Sequence, residues 1–290
     1  MPRDAVGTFR NARAVLAESL WWDAEAEAVR WCDITAGTLH TSPWGGPADG
    51  SADAVSAFGP PLASFQPAAD GGVVAAFGAT VERVAPDGRR DVIARVAHRH
   101  PLMRLNEGKC DPFGAFVVGS MDLGGDADAA LYRVRPDGRL DVLLGGLGTA
   151  NGFEWSDDGR TFFFTDTAVK TVYRAPYDPT GPLGEPEPLL VGRSSDGLSL
   201  DTDGCFWNGI YGEGRVVRWS PEGEILNEID VPAPNVTSVA FAGPDLGTLL
   251  VASARENASE QQLERAPLSG GIFALDVGAT GRPVHAFGTR

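Results

Sequence analysis

The segment Asn151-Gly-Phe-Glu-Trp-Ser-Asp-Asp-Gly159-Arg-Thr-Phe-Phe-Phe-Thr-Asp166 decides the fold, because its pattern recurs at a constant spacing. Related segments begin at Asn106 and at Asp196, each 45 residues from Asn151. Every segment has a glycine eight residues after its first residue, at Gly114, Gly159 and Gly204. Self-similarity at one fixed period of roughly 20–50 residues indicates a repeat architecture.

The same period extends toward both ends of the chain. Further units begin at Glu18, near Phe65 and at Ser238, which gives six units in 290 residues. Within a unit, short β-rich runs alternate with turns rich in Asp, Pro and Gly, and no helical periodicity appears. Four short strands in about 40–45 residues are typical of a propeller blade. We therefore predict an all-β fold: a single six-bladed β-propeller domain over residues 1–290, with four antiparallel strands per blade.

The N-terminal segment has a predicted place in this ring. Residues 8–16 precede the first unit and have the character of a β-strand. The sixth unit ends near Ala286, and no outer strand of its own is evident. An open sheet edge is a liability that ring closure removes. The N-terminal strand is therefore predicted to complete the last blade.

The composition excludes several classes of function. The net charge is −15 and the sequence pI is about 4.6, which disfavours nucleic acid and anionic membranes, since both need a basic partner surface. Cys32, Cys110 and Cys205 lie far apart, so buried free thiols are expected rather than a disulfide framework or a zinc cluster. No apolar run suggests a signal peptide or a membrane helix. We expect a cytoplasmic protein that is a monomer or a weak homo-oligomer.

The first residue of each unit begins the innermost strand of its blade, so its side chain can point to the mouth of the central channel. In four units this residue is Glu18, Asn106, Asn151 or Asp196. Each of them taken singly is better explained as a turn or surface residue. Four oxygen-bearing side chains converging on one axis are much harder to explain in that way. The two carboxylates need a cation between them, and carboxylate and amide oxygens suit Ca²⁺, Mg²⁺ or Mn²⁺.

The second strand of each unit returns to the same end, so the residue fifteen positions after the first is also expected at the channel mouth. These residues are Asp33, Met121, Asp166, Tyr211 and Ser253. A mixed polar and apolar rim suits a small polar ligand. For Asp33 and Asp166 a structural role is the stronger expectation, since an Asp at a strand end can hold the next turn through backbone N–H groups.

Three segments also match the motifs of one known family. Arg104-Leu-Asn-Glu-Gly-Lys-Cys-Asp-Pro-Phe-Gly114 is similar to R-x-N-D-G-K-x-D-P-x-G, and Asn151-Gly-Phe-Glu-Trp-Ser-Asp-Asp-Gly-Arg-Thr161 is similar to N-G-x-x-W-S-x-D-G-x-T. Asp196-Gly-Leu-Ser-Leu-Asp-Thr-Asp-Gly204 resembles D-G-x-x-x-D-x-x-G. These motifs are those of the senescence-marker-protein/gluconolactonase/luciferin-regenerating-enzyme family, which includes regucalcin. The likeness covers nearly the whole chain.

The resemblance implies a six-bladed propeller that holds one divalent metal. In the family the metal is bound by a Glu, an Asn and an Asp, which fall on Glu18, Asn151 and Asp196 of this sequence. The Asp is also proposed in the family as the proton acceptor, which makes Asp196 the candidate catalytic residue. Calcium is the first candidate for the metal, and magnesium, manganese, zinc and iron are alternatives.

The resemblance also implies an activity, because many family members hydrolyse sugar lactones. The Arg and the first Asn of the R-x-N motif contact substrate in the family, and they correspond to Arg104 and Asn106 here. Met121 and Tyr211, at the predicted rim, are further candidate substrate contacts. The predicted partner is therefore a small sugar lactone, opened by metal-assisted hydrolysis.

The chain departs from the family pattern beside the first ligand. Where relatives usually have Glu-Gly-Pro, this sequence has Glu18-Ser19-Leu20, followed by Trp21. The bulky Leu20 and Trp21 are expected to narrow or reshape the pocket. An acidic substrate contact of regucalcin falls on Gly124, so that contact is absent.

Two other functions fit the same residues. A non-catalytic propeller could use the metal to order its channel or to sense a metabolite, and a related hydrolase could act on a non-sugar ester. Arg104 favours an enzyme, because a purely structural metal does not need a cation nearby. A nucleophilic serine mechanism is not indicated, since the sequence has no G-x-S-x-G segment.

Overall fold

Residues 6–289, which the computed structural model describes, form 24 β-strands in six four-stranded antiparallel sheets. The predicted all-β, six-bladed β-propeller fold is therefore confirmed, and we number the blades 1 to 6 in chain order from Ala17. Packing divides the chain into two compact units. The first comprises the residues up to Pro60 together with Ser195–Pro283, and the second comprises Pro61–Ser194 with the residues from Val284 onward.

The first unit contains blades 1, 5 and 6. Blade 1 consists of β2 (Ala17–Asp23), β3 (Ala28–Asp33), β4 (Thr38–Pro43) and β5 (Ala54–Ala57). Blade 5 consists of β18 (Ser195–Leu200), β19 (Phe206–Ile210), β20 (Arg215–Trp219) and β21 (Ile225–Asp230). Blade 6 consists of β22 (Asn235–Ala242), β23 (Thr248–Ala254), β24 (Ile272–Asp276) and β1 (Val6–Arg10), with the short helix α1 (Glu260–Arg265) between β23 and β24.

The second unit contains blades 2, 3 and 4. Blade 2 consists of β6 (Leu62–Pro67), β7 (Val73–Phe77), β8 (Thr80–Val84) and β9 (Arg90–Arg95). Blade 3 consists of β10 (Met103–Cys110), β11 (Phe116–Asp122), β12 (Ala129–Val134) and β13 (Leu140–Leu147). Blade 4 consists of β14 (Ala150–Trp155), β15 (Thr161–Asp166), β16 (Thr171–Pro176) and β17 (Glu187–Val191), with a 3₁₀ turn at Thr167–Val169.

The N-terminal strand β1 gives blade 6 its fourth strand. It pairs antiparallel with β24, so that Val6 lies opposite Leu275. Arg10 at the end of β1 is 1% exposed, and its Nε lies 2.9 Å from an Asp53 carboxylate oxygen. This buried ion pair ties the closing strand to blade 1, although only residues 8–10 of the predicted strand 8–16 belong to β1.

Neighbouring blades pack through apolar side chains of their strands. In the first unit, Trp207 and Val216 of blade 5 share one buried cluster with Phe241 and Phe273 of blade 6. Each such side chain contributes about 1.5–3 kcal/mol when it is fully buried. This packing holds the first strand of blade 6, β22, against blade 5.

The prediction of buried free thiols is confirmed, since this is the state of Cys32, Cys110 and Cys205. Within residues 6–289, no helix has the length and apolar character needed to span a membrane.

Candidate functional site

All six blades of the described chain have an irregularity near the start of their first strand, and in five of them it has the same form. In β2, Glu18 lies opposite Cys32 and Trp21 lies opposite Arg30, so two residues of β2 oppose one residue of β3. The same two-against-one bulge occurs in β10, β14, β18 and β22. A β-bulge bends its strand and re-aims the side chains beside it. All four predicted opening residues lie at such a bulge.

The four residues do not occupy one register position, however. Glu18 and Asn151 come directly before the two extra residues, whereas Asn106 and Asp196 are the first of the two. The 45-residue spacing aligns the turn glycines of the units, and the bulge of β14 lies one residue later in that alignment. Its first extra residue is Gly152, with φ of +52°. The local backbone therefore corrects the simple register that the sequence suggested.

In the first unit, Glu18 and Asp196 act on the same phenol. Asp196 is 6% exposed and Glu18 is half-buried. Burial raises the pKa of the Tyr211 hydroxyl, and the negative charges of Asp196, Glu256 and Glu18 raise it further. Both candidate carboxylates therefore contribute to the raised pKa of the Tyr211 hydroxyl, after burial as the main cause.

Tyr211 also anchors the loop that follows β23. Its Oη donates a hydrogen bond to the Glu256 carbonyl at 3.3 Å and accepts one from Asn257 Nδ2 at 3.0 Å. Asn235 Nδ2 donates to the same carbonyl at 2.8 Å. Neither Asn235, the first residue of β22, nor Asn257, in the loop after β23, was predicted as a site residue.

Blade 6 holds the backbone on both sides of Glu18. Thr237 Oγ1 donates to the Ala17 carbonyl at 2.6 Å, and the Leu20 N–H donates to Ser238 Oγ at 3.1 Å. Ser238 opens the sixth unit in the sequence, and here its hydroxyl is used to fix β2. The two hydroxyls thus hold the bulge that carries Glu18.

The bulky residues after Glu18 do not both face a pocket. Leu20 is 6% exposed and packs in the apolar cluster between blades 1 and 6 with Trp22 and Trp31. The expectation that Leu20 narrows the pocket is therefore wrong, because the bulge turns its side chain into the core. Trp21 is 4% exposed, and the Arg30 guanidinium lies 5.9 Å from its ring centre.

Ser19 adopts a left-handed backbone conformation with φ of +57°, at the bulge position that Gly152 occupies in β14. This conformation brings Cβ close to the backbone and costs a non-glycine residue roughly 1–2 kcal/mol. We expect the Ser19→Gly variant to be more stable than the Ser19→Ala variant, with a free energy of unfolding about 1 kcal/mol higher. Both variants lack the hydroxyl, so urea denaturation of the pair isolates the backbone effect. Equal stability of the two variants would contradict the prediction.

In the second unit, the structure brings Arg104, Asn106 and Asn151 together. Arg104 Nη1 donates to Asn106 Oδ1 at 2.6 Å, and Asn106 Nδ2 donates to Asn151 Oδ1 at 2.7 Å. Asn106 is 8% and Asn151 is 6% exposed. Asn151 Nδ2 continues the chain to Thr167 Oγ1 at 2.9 Å. Thr167 was not predicted, since its position in the sequence carries no distinguishing pattern.

The neighbours of Arg104 and Asn106 complete this part of the site. Met121 of β11 lies opposite Arg104 and is partly exposed. Glu107 follows Asn106, and burial raises the pKa of its carboxyl while the Lys109 ammonium opposes that shift. Lys109 in turn forms an ion pair with Glu154. These charged groups follow the candidate residues along β10 and β14.

The remaining predicted rim residues have structural roles. Asp33 accepts hydrogen bonds from the N–H groups of Val15 and Leu16 at 2.8 and 3.2 Å. Asp166 accepts in the same way from Gly148 and Thr149 at 3.1 and 3.0 Å. The structural interpretation preferred for both aspartates is confirmed.

Ser253 does not lie at the rim. It is fully buried, and its hydroxyl donates to the Gly271 carbonyl at 2.9 Å. Its expected place at the mouth was wrong, because the strand pairing sets Ser253 opposite Val236, before the bulge of β22.

The fold and these side chains together define a class of protein: a six-bladed propeller whose first strands present carboxylate and amide groups at bulges. A family model described as SMP-30/Gluconolactonase/LRE-like region matches residues 16–255. The chain belongs to this family, as its sequence motifs predicted.

Several known proteins are similar over nearly the whole chain. The 6-deoxy-6-sulfogluconolactonase of Pseudomonas putida is 33% identical over 275 residues, covering 92% of this chain and 93% of the relative. The pentonolactonase of Haloferax volcanii is 33% identical over 278 residues, again covering 92% of this chain and 93% of the relative. A solved structure of the calcium-binding protein regucalcin from Agrobacterium tumefaciens matches with a TM-score of 0.90 and 26% identity, covering 98% of each chain.

Proposed function

We propose that this protein is a hydrolase that opens the ring of a sugar lactone with the help of one divalent metal ion. The observation that carries the proposal is the placement of Glu18, Asn151 and Asp196 at the bulges near the start of the first strands of blades 1, 4 and 5. Two relatives that are 33% identical over almost the full chain are a sulfogluconolactonase and a pentonolactonase, which supports the lactone as the substrate class.

The proposed metal ligands are Glu18, Asn151 and Asp196. Two carboxylates and one carboxamide oxygen are hard donors. The two negative charges of the carboxylates balance the two positive charges of a bound dication. Within residues 6–289, no group of three or more His, Cys, Asp or Glu side chains is placed to hold a metal. The amide oxygen of Asn151 is the proposed third donor beside the two carboxylates. The donor set fits a hard divalent ion.

Calcium is the proposed metal, with magnesium, manganese, zinc and iron as alternatives. All-oxygen ligands favour calcium, magnesium and manganese over the metals that prefer nitrogen or sulfur. The similar regucalcin from Agrobacterium tumefaciens is a calcium-binding protein, which supports the same choice.

The residues of the chain have distinct proposed roles in the hydrolysis. A bound divalent ion would supply Lewis-acid polarisation of the ester carbonyl and a lower pKa for an attacking water. Asp196 accepts the proton that the water loses as it attacks the carbonyl carbon, and returns it to the ring oxygen as the acyl C–O bond breaks, so that the ring oxygen leaves as a hydroxyl. Arg104 and Asn106 orient the lactone through its oxygen atoms, and Met121 and Tyr211 contact the rest of the sugar.

We propose that the partner of this site is a small molecule. A net charge of −15 works against nucleic acid and anionic membranes as ligands. We further propose that the protein acts in the cytoplasm as a monomer or a weak homo-oligomer. Light scattering after size exclusion measures the oligomeric state directly.

A substrate panel with and without chelator tests the proposed function. Gluconolactone, arabinonolactone and other aldonolactones are expected to be hydrolysed with proton release, and chelation is expected to lower the rate at least about 100-fold because the ester carbonyl loses its polarising cation. Proton release is followed with a pH indicator, and readdition of Ca²⁺ is the control. Equal rates with and without chelator would overturn the metal role.

The same panel separates the alternatives. Hydrolysis of simple esters but of no sugar lactone would favour a non-sugar ester hydrolase. No turnover of any lactone or ester, together with metal binding, would identify a non-catalytic propeller.

A further inference from the structure

One directional chain of hydrogen bonds in the second unit ends at Thr167. It begins at the Arg104 guanidinium, passes through the carboxamides of Asn106 and Asn151, and ends at the Thr167 hydroxyl. The three donor–acceptor distances are 2.6, 2.7 and 2.9 Å, which are all good hydrogen bonds. Each carboxamide uses both its oxygen and its nitrogen in the chain.

Arg104 sets the direction of this chain. A guanidinium has donors and no acceptor, so the atom of Asn106 that faces it must be Oδ1. The nitrogen of Asn106 then faces Asn151, and it also donates to the Ala150 carbonyl at 3.1 Å, which fixes the same orientation. Asn151 must therefore accept through Oδ1, and its nitrogen is turned toward Thr167.

At the other end of this series of hydrogen bonds, the backbone around Thr167 is itself held by hydrogen bonds. Its N–H donates to the Thr149 carbonyl at 3.0 Å. The preceding residue, Asp166, caps the 3₁₀ turn by accepting from the Ala168 N–H at 3.2 Å. The hydroxyl is thus presented by a fixed turn, and it meets the nitrogen of Asn151 without any rearrangement.

We propose that Thr167 is a positioning residue for Asn151, and that together with Arg104 it holds the Asn151 carboxamide in one orientation. This inference rests on the proposed role of Asn151 as a metal ligand. A carboxamide oxygen has two lone pairs, of which one accepts from Asn106 and one is left for a cation. A rotated carboxamide would present N–H groups instead, and these repel a cation.

Two variants of Thr167 test the proposal on the full chain. Thr167→Val removes the acceptor and keeps the shape, whereas Thr167→Ser keeps the hydroxyl. Isothermal titration of the chelator-stripped chain with Ca²⁺ alone measures the affinity. We expect Thr167→Val to weaken Ca²⁺ binding about tenfold, as is typical when an outer partner of a ligand is lost, and Thr167→Ser to stay close to wild type. Thermal melts without metal check that all three proteins are folded.

The outcomes are distinct. Unchanged binding by Thr167→Val, or equal weakening by both variants, would overturn the positioning role. Asn151→Ala that binds Ca²⁺ as tightly as wild type would overturn the ligand assignment in the proposed function, and with it this inference. If the wild-type chain does not bind Ca²⁺, the assignment of calcium in the proposed function is wrong, and so is the inference that Thr167 positions a calcium ligand.

Discussion

Asp196→Asn is expected to lower kcat/KM for lactone hydrolysis about 10³-fold, because the change removes both a proton acceptor and a negative charge from the site. Asn has nearly the same shape as Asp, so the fold should be unaffected. In the chelated protein the variant should melt no earlier than wild type, since the substitution relieves the repulsion between Asp196 and Glu18. Steady-state kinetics and a thermal melt measure the two effects.

Tyr211 gives this prediction an independent spectroscopic readout. The charge of Asp196 raises the pKa of the Tyr211 hydroxyl, so its removal should lower that pKa. Absorbance titration of the phenol follows the change. Asp230→Asn is the matched control, because the Asp230 side chain is 85% exposed in the same unit. Retention of a tenth or more of the activity by Asp196→Asn would rule out the proposed role of Asp196.

Asp201→Ala is expected to lower the free energy of unfolding by about 3 kcal/mol, since it leaves buried partners without an acceptor. Asp201 is 1% exposed. One of its oxygens accepts from the N–H groups of Asp203 and Cys205 at 3.0 and 2.9 Å. The other accepts from Trp207 Nε1 at 3.0 Å and Arg218 Nη2 at 2.7 Å. Urea denaturation monitored by tryptophan fluorescence measures the loss.

Asp203 is the natural control for Asp201, because it lies two residues away in the same motif. Its side chain is 76% exposed, and the distance from its Oδ2 to Arg218 Nη2 is 3.5 Å, longer than the 2.7 Å between Asp201 and the same nitrogen. Asp203→Ala should change the free energy of unfolding by no more than about 0.5 kcal/mol. If the two alanine variants were equally stable, Asp201 would not hold the turn. The Asp196 and Asp201 variants together separate activity from stability at the two ends of β18.

The blades were predictable from the sequence because each repeats the same local code. The segments opening at Asn106, Asn151 and Asp196 place a turn glycine at a fixed distance, and that glycine marks the end of the first strand. Periodicity of this kind is local, so it survives in the sequence. The resemblance to the family motifs added Asn151 and Asp196 as expected metal ligands in these segments.

The exact register at the site was not predictable, because it depends on where each strand bulges. The bulge position follows pairing with the neighbouring strand, and a one-residue shift leaves the spacing of the turns unchanged. For the same reason Leu20 was assigned to the pocket, although the αL conformation of Ser19 turns it into the core. The backbone conformation of Ser19, rather than the size of the Leu20 side chain, determines where Leu20 packs.

The polar partners of the site were also hidden from the sequence. Thr167 meets Asn151, and Asn257 meets Tyr211, across 16 and 46 residues respectively. Such contacts join the end of one strand to the start of another or to a loop. A single sequence records neither the distance nor the direction of these hydrogen bonds.

The pairing of β1 with β24 has a consequence for how the chain is made. β1 leaves the ribosome about 260 residues before its partner strand, so it waits unpaired while five blades are synthesised. Contacts between such distant residues form slowly, because a long loop must close first. Until β24 is made, β1 lacks its strand partner and remains available to chaperones and to wrong partners. Completion of the last blade is therefore the step that commits a newly made chain to its folded form.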